Sequence, residues 1–294
     1  MTTTSPALAT RRRRNVTPDV VVKRIALRGP IYLLLIVVAI ASLLPFAWMI
    51  ISSTHKTSDL FVTPLPVIPG DQLWTNLVRL NETVGFGRVM LNSAGLAIVY
   101  TVFSVIISVM CGYGLAMYRF RGRGILLGVI LVTMMIPMQV LLVPLFQMMA
   151  SIGWIDSYQA VITPFLANTF GIFLMRQGFL NFPDTLIEAA RIDGAGELRT
   201  FYTIVVPVAK PQIAALIIYT FIGQWNSFIW PLLMLNSEDK YTIPVALNTM
   251  KGLTRVDYSG MMLGSLLATL PLMILFLIFQ KQFVAGLLGG AVKG

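Results

Sequence analysis

Glu188 and Asp193 stand in the run Glu188-Ala189-Ala190-Arg191-Ile192-Asp193-Gly194-Ala195-Gly196, a short polar island between two long apolar stretches. The chain has one histidine and one cysteine, and neither is near these carboxylates in sequence. No carboxylate pair lies in the apolar runs, so acid–base catalysis is not expected. The chemistry left to Glu188 and Asp193 is helix capping or surface contact. His55 has no partner at metal-ligand spacing, and no metal site is expected. No Gly-x-x-x-x-Gly-Lys-Ser/Thr run occurs, so the chain has no loop to cradle ATP phosphates. The other groups that could bind something are uncharged. Gln139, Gln147, Asn168, Gln224 and Asn226 lie in apolar runs, with Trp225 and Trp230 beside them. Amides and aromatic faces suit a hydroxylated solute, but buried amides also join helices and tryptophans also pack.

Such residues need elements to position them, and composition says where those elements sit. The chain is 56% hydrophobic and 12% charged, against about 25% charged for a soluble domain. That is a membrane composition. The net charge of +10 does not point to nucleic acid, because the basic residues are scattered in short segments between apolar runs. Cys111 is alone and cannot form an internal disulfide. Six stretches lack Asp, Glu, Lys, Arg and His: 29–54, 89–118, 124–155, 157–175, 211–237 and 258–280. Each holds a helix of about 20 residues, enough to cross a ~30 Å hydrocarbon core. The expected spans are 31–51, 93–115, 125–148, 159–177, 212–234 and 261–281. The resulting organisation is a basic segment 1–30, a six-helix domain 31–282 and a tail 283–294. The first span resembles a leader peptide, but its apolar run continues through Ile51 and no polar start follows Ala41. Sixteen Lys and Arg flank one side of the spans and six the other, which puts both termini in the cytoplasm.

The outward segment 52–88 contains Pro64, Pro66, Pro69 and Gly70, so its first half is extended or turning. Residues 72–82 have helical periodicity and read as an interfacial helix with Trp74 at headgroup depth, or as a surface loop anchored by that Trp. The second outward segment, 235–260, opens on a polar turn at 236–240, and 241–254 reads as a short helix or lid, or as a plain connector. The 119–123 loop is so short that spans two and three form a tight hairpin; its arginines set topology and touch anionic lipid.

In the island, Thr185 and Glu188 have capping-box spacing, and Asp184 is an alternative cap. Gly194 is placed to end the helix as a C′ glycine. Glu197 opens a second helix, and Pro207 and Pro211 lead into the fifth span. The result reads either as a rigid knob that passes a push to a span, or as an ordinary helix-turn-helix loop.

The run 188–211 resembles the EAA loop of permease subunits of bacterial ATP-binding-cassette importers. The resemblance rests on Glu188, Ala189, Ala190, Asp193, Gly194, Ala195, Phe201, Ile204, Pro207 and Pro211. Residues 225–232, Asn92-Ser93, 113–116 and the C-terminal run around Gly286 and Gly290 resemble the carbohydrate-uptake branch. Gly196 departs from the usual Ser or Thr, and Val206 from the usual Leu. The resemblance implies an all-α, type I importer permease in the bacterial cytoplasmic membrane. It also implies a second permease subunit forming a heterodimer, an ATPase dimer holding ATP and Mg, an extracytoplasmic sugar-binding protein and surrounding lipid, with no nucleic acid. The loop 183–211 would couple to the ATPase: Ala189, Ala190 and Gly194 would fit its cleft, with Glu188 and Asp193 as capping or contact groups. The outward loops would meet the binding protein. Gln139, Asn168, Gln224, Trp225 and Asn226 become candidates for a sugar path. Permeation of a glycerol phosphodiester or a polyol is an alternative. An ion-coupled transporter would need an ionisable residue in the spans, which these runs lack.

Overall fold

The structure, a computed structural model, describes residues 18–252 and 255–291. The arginine cluster 11–14 and Lys293 lie outside them. Among the described residues the regular structure is helical. The helices are α1 (Pro18–Ser53), α2 (Leu73–Val84), α3 (Phe86–Met117), α4 (Arg123–Met135), α5 (Met138–Ser151), α6 (Tyr158–Ile162) and α7 (Thr169–Leu180). They continue as α8 (Asp184–Ile192), α9 (Glu197–Thr200), α10 (Val206–Val208), α11 (Lys210–Trp225), α12 (Ile229–Met234), α13 (Ile243–Thr249) and α14 (Tyr258–Ala291). The chain divides into two units, 1–49 and 50–294. The first carries most of α1, exposed from Ile31 to Phe46. Helix α1 begins at Pro18 and α14 continues to Ala291, so regular structure extends past both expected boundaries of the six-helix domain.

Three helices qualify as spans by length and composition: Gly29–Ser53, Phe86–Met117 and Tyr258–Gln280. The other runs differ from the straight helices expected. The third bends by 102° between α4 and α5, at Ile136–Pro137. A proline disfavours the helical region for the residue before it, and Ile136 is extended. The fourth bends by 41°, where Asn168 leaves the helix and caps α7 with a side-chain bond to Gly171 N–H. The fifth, expected as 212–234, stops at Trp225 after 16 residues and resumes as α12.

In the second unit, α3 is the hub. It packs against α7 and α11, and members of it enter all four buried apolar clusters. The α3–α7 contact is close because its residues are small. A Cβ on Gly112 would lie 2.6 Å from the Met175 Cβ and 2.9 Å from the Arg176 backbone nitrogen. One on Gly171 would lie 2.6 Å from the Ser108 Oγ. Small residues let helices approach where lipid gives them no hydrophobic reason to associate.

At the end of the bundle opposite the 119–123 loop, helix α2 occupies the stretch left open between helix and loop, with Trp74 exposed. The short helix α13 lies in the second loop. Asn76 donates to the Ser53 and His55 carbonyls, tying α2 to the end of α1 within residues 50–84. His55 bonds to the Ile68 carbonyl at 2.9 Å. Asn92 donates to the carbonyls of Asp239 and Tyr241, and Ser93 Oγ accepts from Ile243 N–H at 2.8 Å. Asp156, in the left-handed region at φ 59°, accepts from the backbone of Asn236 and Ser237, from Ser237 Oγ, and from Lys240 Nζ at 2.7 Å. Lys240 and Ser237 hold the Asp156 carboxyl well below the usual carboxylate range.

Two outcomes follow from this packing. Gly112→Ala should lower the unfolding midpoint in detergent and Gly112→Val should prevent accumulation of folded protein, since overpacking costs about 1–3 kcal/mol even where neighbours can shift. Asp156→Ala should lower the midpoint by on the order of 5 °C and Asp156→Asn by less, since asparagine keeps an acceptor and tolerates φ > 0. Because the folded carboxyl is depressed, the Asp156 contribution should be complete above the ordinary carboxylate pKa. It should be lost only as pH falls well below it, which melts at stepped pH would read.

Candidate functional site

The three interrupted runs meet around one cavity of about 740 Å³. Ile136 and Met138 come from the first break, Ala167 and Asn168 from the second, and Asn226, Ser227 and Phe228 from the third. Such breaks are tolerated at membrane depth only where the backbone is buried in protein or lines a polar cavity. Here the loose groups are bonded locally. Ile136 N–H bonds to the Thr133 carbonyl, Asn168 N–H to Leu166, Asn226 N–H to Ile222 and Ser227 N–H to Gln224.

The lining contains no Asp, Glu, Lys, Arg or His. Of the sequence candidates, Gln139, Asn168, Gln224 and Asn226 line it and Trp225 does not. Trp225 is a correction. It is buried, stacked on Phe221 at 5.6 Å, and donates its indole N–H to the Ala268 carbonyl at 3.1 Å. Helix α11 ends there, so Trp225 faces α14 while Gln224 and Asn226 face the cavity. Asn168 spends its side chain on structure: its oxygen caps α7 and its nitrogen donates to Tyr100 Oη at 3.2 Å. Gln147 is exposed and is not among the lining residues. Gln224 Nε2 is buried with no hydrogen-bond partner among the described residues. An unpaired buried donor is costly, and this one belongs to a residue of the cavity lining. Tyr100, Tyr219 and Ser227 also line the cavity. Sequence reasoning missed them, although tyrosine inside a charge-free run was a signal. Trp230 lines the cavity too, held by an indole bond to the Ala160 carbonyl and an edge contact with Phe165.

The polar island forms a compact knob at the end of the bundle that carries the 119–123 loop. Pro183 precedes α8, and no side chain caps it. Thr185 lies inside the helix, so the expected capping box does not form. The C-terminus is as expected: Gly194 has φ 75°, its N–H bonds to the Arg191 carbonyl, and Ala195 N–H bonds to Ala190. That is a Schellman ending, which requires the left-handed conformation at Gly194. Ile187 turns inward into the buried cluster with Phe179, Phe182, Phe201 and Val205, and Ala190 is buried as well. Ala190 is only 4% exposed, so its role is internal packing, a correction to the expectation that it faces a partner. Glu188, Ala189, Asp193 and Gly194 are exposed, and Ala195 is partly so. Glu188 and Asp193 have no side-chain partner among the described residues. The outward apolar groups are ones the sequence reading passed over: Ile192 is 86% exposed and Leu198 72%. Apolar side chains that protrude from a polar loop were their signal.

Comparison with known proteins agrees with this geometry. Residues 104–288 match the family described as "Binding-protein-dependent transport system inner membrane component". The arabinooligosaccharide transport system permease protein AraQ of Bacillus subtilis is 35% identical over 281 residues, covering 95% of this chain and 99% of AraQ. The lactose transport system permease protein LacG of Rhizobium radiobacter is 35% identical, covering 88% and 94%. The sn-glycerol-3-phosphate transport system permease protein UgpE of Pectobacterium atrosepticum is 34% identical, covering 87% and 94%. A chain in the crystal structure of a bacterial ABC transporter involved in the import of the acidic polysaccharide alginate superposes with a TM-score of 0.73. It is 26% identical, with 88% of this chain and 98% of that chain covered. The fold is therefore that of an ABC importer permease. A charge-free cavity at three broken spans, a glycine-ended knob and these matches lead to one conclusion: the chain belongs to the family of inner membrane components of binding-protein-dependent transport systems.

Proposed function

We propose that this chain is a permease subunit of an ATP-driven importer and forms part of the path for a neutral sugar or short oligosaccharide. Family membership means that it works with other transporter subunits. The observation that carries the substrate class is the lining of the cavity, which offers amide, hydroxyl and aromatic groups and no charge. Its volume falls in the ~300–1,000 Å³ range of small-molecule sites. A sugar hydroxyl can both donate and accept, and Gln224, Gln139 and Ser227 can answer it. The relatives include permeases of oligosaccharide, lactose and glycerol-3-phosphate systems. A phosphate or uronate would need cations to repay its lost hydration, and this lining has none. The charge-free lining thus favours the neutral solutes.

In this reading the end that carries the knob and the 119–123 loop faces the cytoplasm. The knob 184–200 docks on an ATPase subunit that holds ATP and Mg, a second permease completes the path, and a sugar-binding protein delivers the solute at the opposite end. Ile192 and Leu198 supply the apolar contact with the ATPase, with Glu188, Ala189 and Asp193 around them. Gly194 sets the turn between the two helices of the knob.

Vesicles holding the whole complex should take up a labelled neutral oligosaccharide only with internal ATP. Gln224→Leu should raise KM about 3- to 10-fold, as expected for one neutral hydrogen bond, without changing how much complex assembles. Uptake without ATP, or preference for a glycerol phosphodiester over every neutral sugar tested, would sink this reading. Ile192→Asp and Gly194→Pro should each reduce ATPase co-purification at least several-fold. The first charges the contact, and the second removes both the N–H and the positive φ that close the helix. Pull-down of the ATPase with each variant measures this.

A further inference from the structure

One carboxylate joins the knob to the hub helix. Tyr118 follows the last residue of α3, and its hydroxyl donates to Glu197 Oε2 at 2.7 Å. Arg191, in the last turn of α8, donates to Glu197 Oε1 from Nε at 3.2 Å and from Nη2 at 2.9 Å. The two oxygens of Glu197 thus hold two different elements. Tyr113 lies beneath them: its ring contacts Tyr118 at 5.7 Å, Phe179 at 5.6 Å and Phe201 at 5.0 Å. The Tyr118 bond, then the Arg191 bonds, lower the Glu197 carboxyl below its ordinary range, and the same Glu197 bond raises the Tyr118 hydroxyl. Donor and acceptor therefore keep their roles at neutral pH.

Exposed ion pairs add little to stability, and Arg191 and Glu197 are both about half exposed. The knob is already held by Ile187 in the buried apolar cluster, and Ala190 is buried beside it in sequence. Apolar burial is non-directional, whereas a carboxylate bonded on both oxygens fixes an orientation. Orientation matters because the covalent route from the knob to α11 is not straight. It passes through a π turn at Phe201–Val205 and a bend of 77° before Lys210. A push along that route can be absorbed at the bend. The route through Glu197 to Tyr118 is short and ends on the hub.

We propose that Glu197 is a positioning residue that, by bridging Arg191 and Tyr118, makes the knob and the end of α3 move as one body when the ATPase acts. The proposal rests on the reading of the knob as the ATPase-docking element.

The test uses the assembled complex in nanodiscs, with Cys111→Ser and spin labels at Arg121→Cys and Arg199→Cys. With Glu197 intact, the label distance should be narrow and equal in the resting and the ATP–vanadate-trapped complex. Tyr118→Phe and Glu197→Gln should each broaden it or shift it on trapping, and the double variant should do no more than either alone. The ATPase should co-purify with all three. The exchange Arg191→Glu with Glu197→Arg should restore the narrow distance, because a tyrosine hydroxyl can accept from a guanidinium; a merely structural role predicts no such rescue. Variants with the unaltered distance in both states would overturn the proposal. Absence of the ATPase from the unaltered complex would overturn the reading beneath it, and the proposal with it.

Discussion

Lipid offers no partner to a free N–H or C=O, and this constraint governs the molecule. A chain of six uninterrupted helices would meet it simply, and would leave no polar interior. Here three of the runs are broken, at Ile136–Pro137, at residues 166–168 and at residues 226–228. Each break frees backbone groups that must be enclosed. Bringing the three together places them along one half-open space and gives it amide and hydroxyl groups without a single charge. The interruptions are thus the origin of the cavity, in line with the general tendency of broken helices to form solute sites in transport proteins.

Such an assembly needs an unbroken element at its centre, and α3 is that element. It runs unbroken for 32 residues. Its small residues let α7 approach to backbone distance, and its other faces carry parts of every buried apolar cluster. At one end Asn92 and Ser93 hold the 239–243 segment; at the other Tyr113 and Tyr118 meet the knob. The two ends are therefore joined by one rigid rod, while the cavity walls are built from pieces hinged beside it.

The knob is fixed by a different balance. Its helix is short, below the length at which a helix stands alone in water. It persists because Gly194 closes it and because Ile187 and Ala190 are buried. Its outward face is then left free to be apolar at Ile192 and Leu198 without destabilising the fold.

Much of this could be read from residue types. The absence of charge over six stretches is a local property, and it marked the membrane runs. The Schellman ending at Gly194 was legible because positive φ is nearly a glycine property, and the island stood out against its apolar flanks. The helix at 73–84 was half legible, since periodicity allowed it and could not separate it from a loop. Other features depend on what lies across space. Pro137 sits in a charge-free run and Pro144 sits inside a helix, so proline alone does not say which one breaks a span. Trp225 and Gln224 are neighbours in sequence, yet one is locked to Ala268 and the other faces the cavity, because successive helical residues point about 100° apart. Glu197 gained its meaning only when Tyr118, 79 residues away, came to hand. The sequence alone determined where the chain can lie in lipid and where it must turn, since these follow from transfer free energy and allowed backbone angles. Tertiary structure decided which breaks converge, which amide is left unpaired and which carboxylate joins two elements, because a hydrogen bond depends on distances that no local pattern encodes.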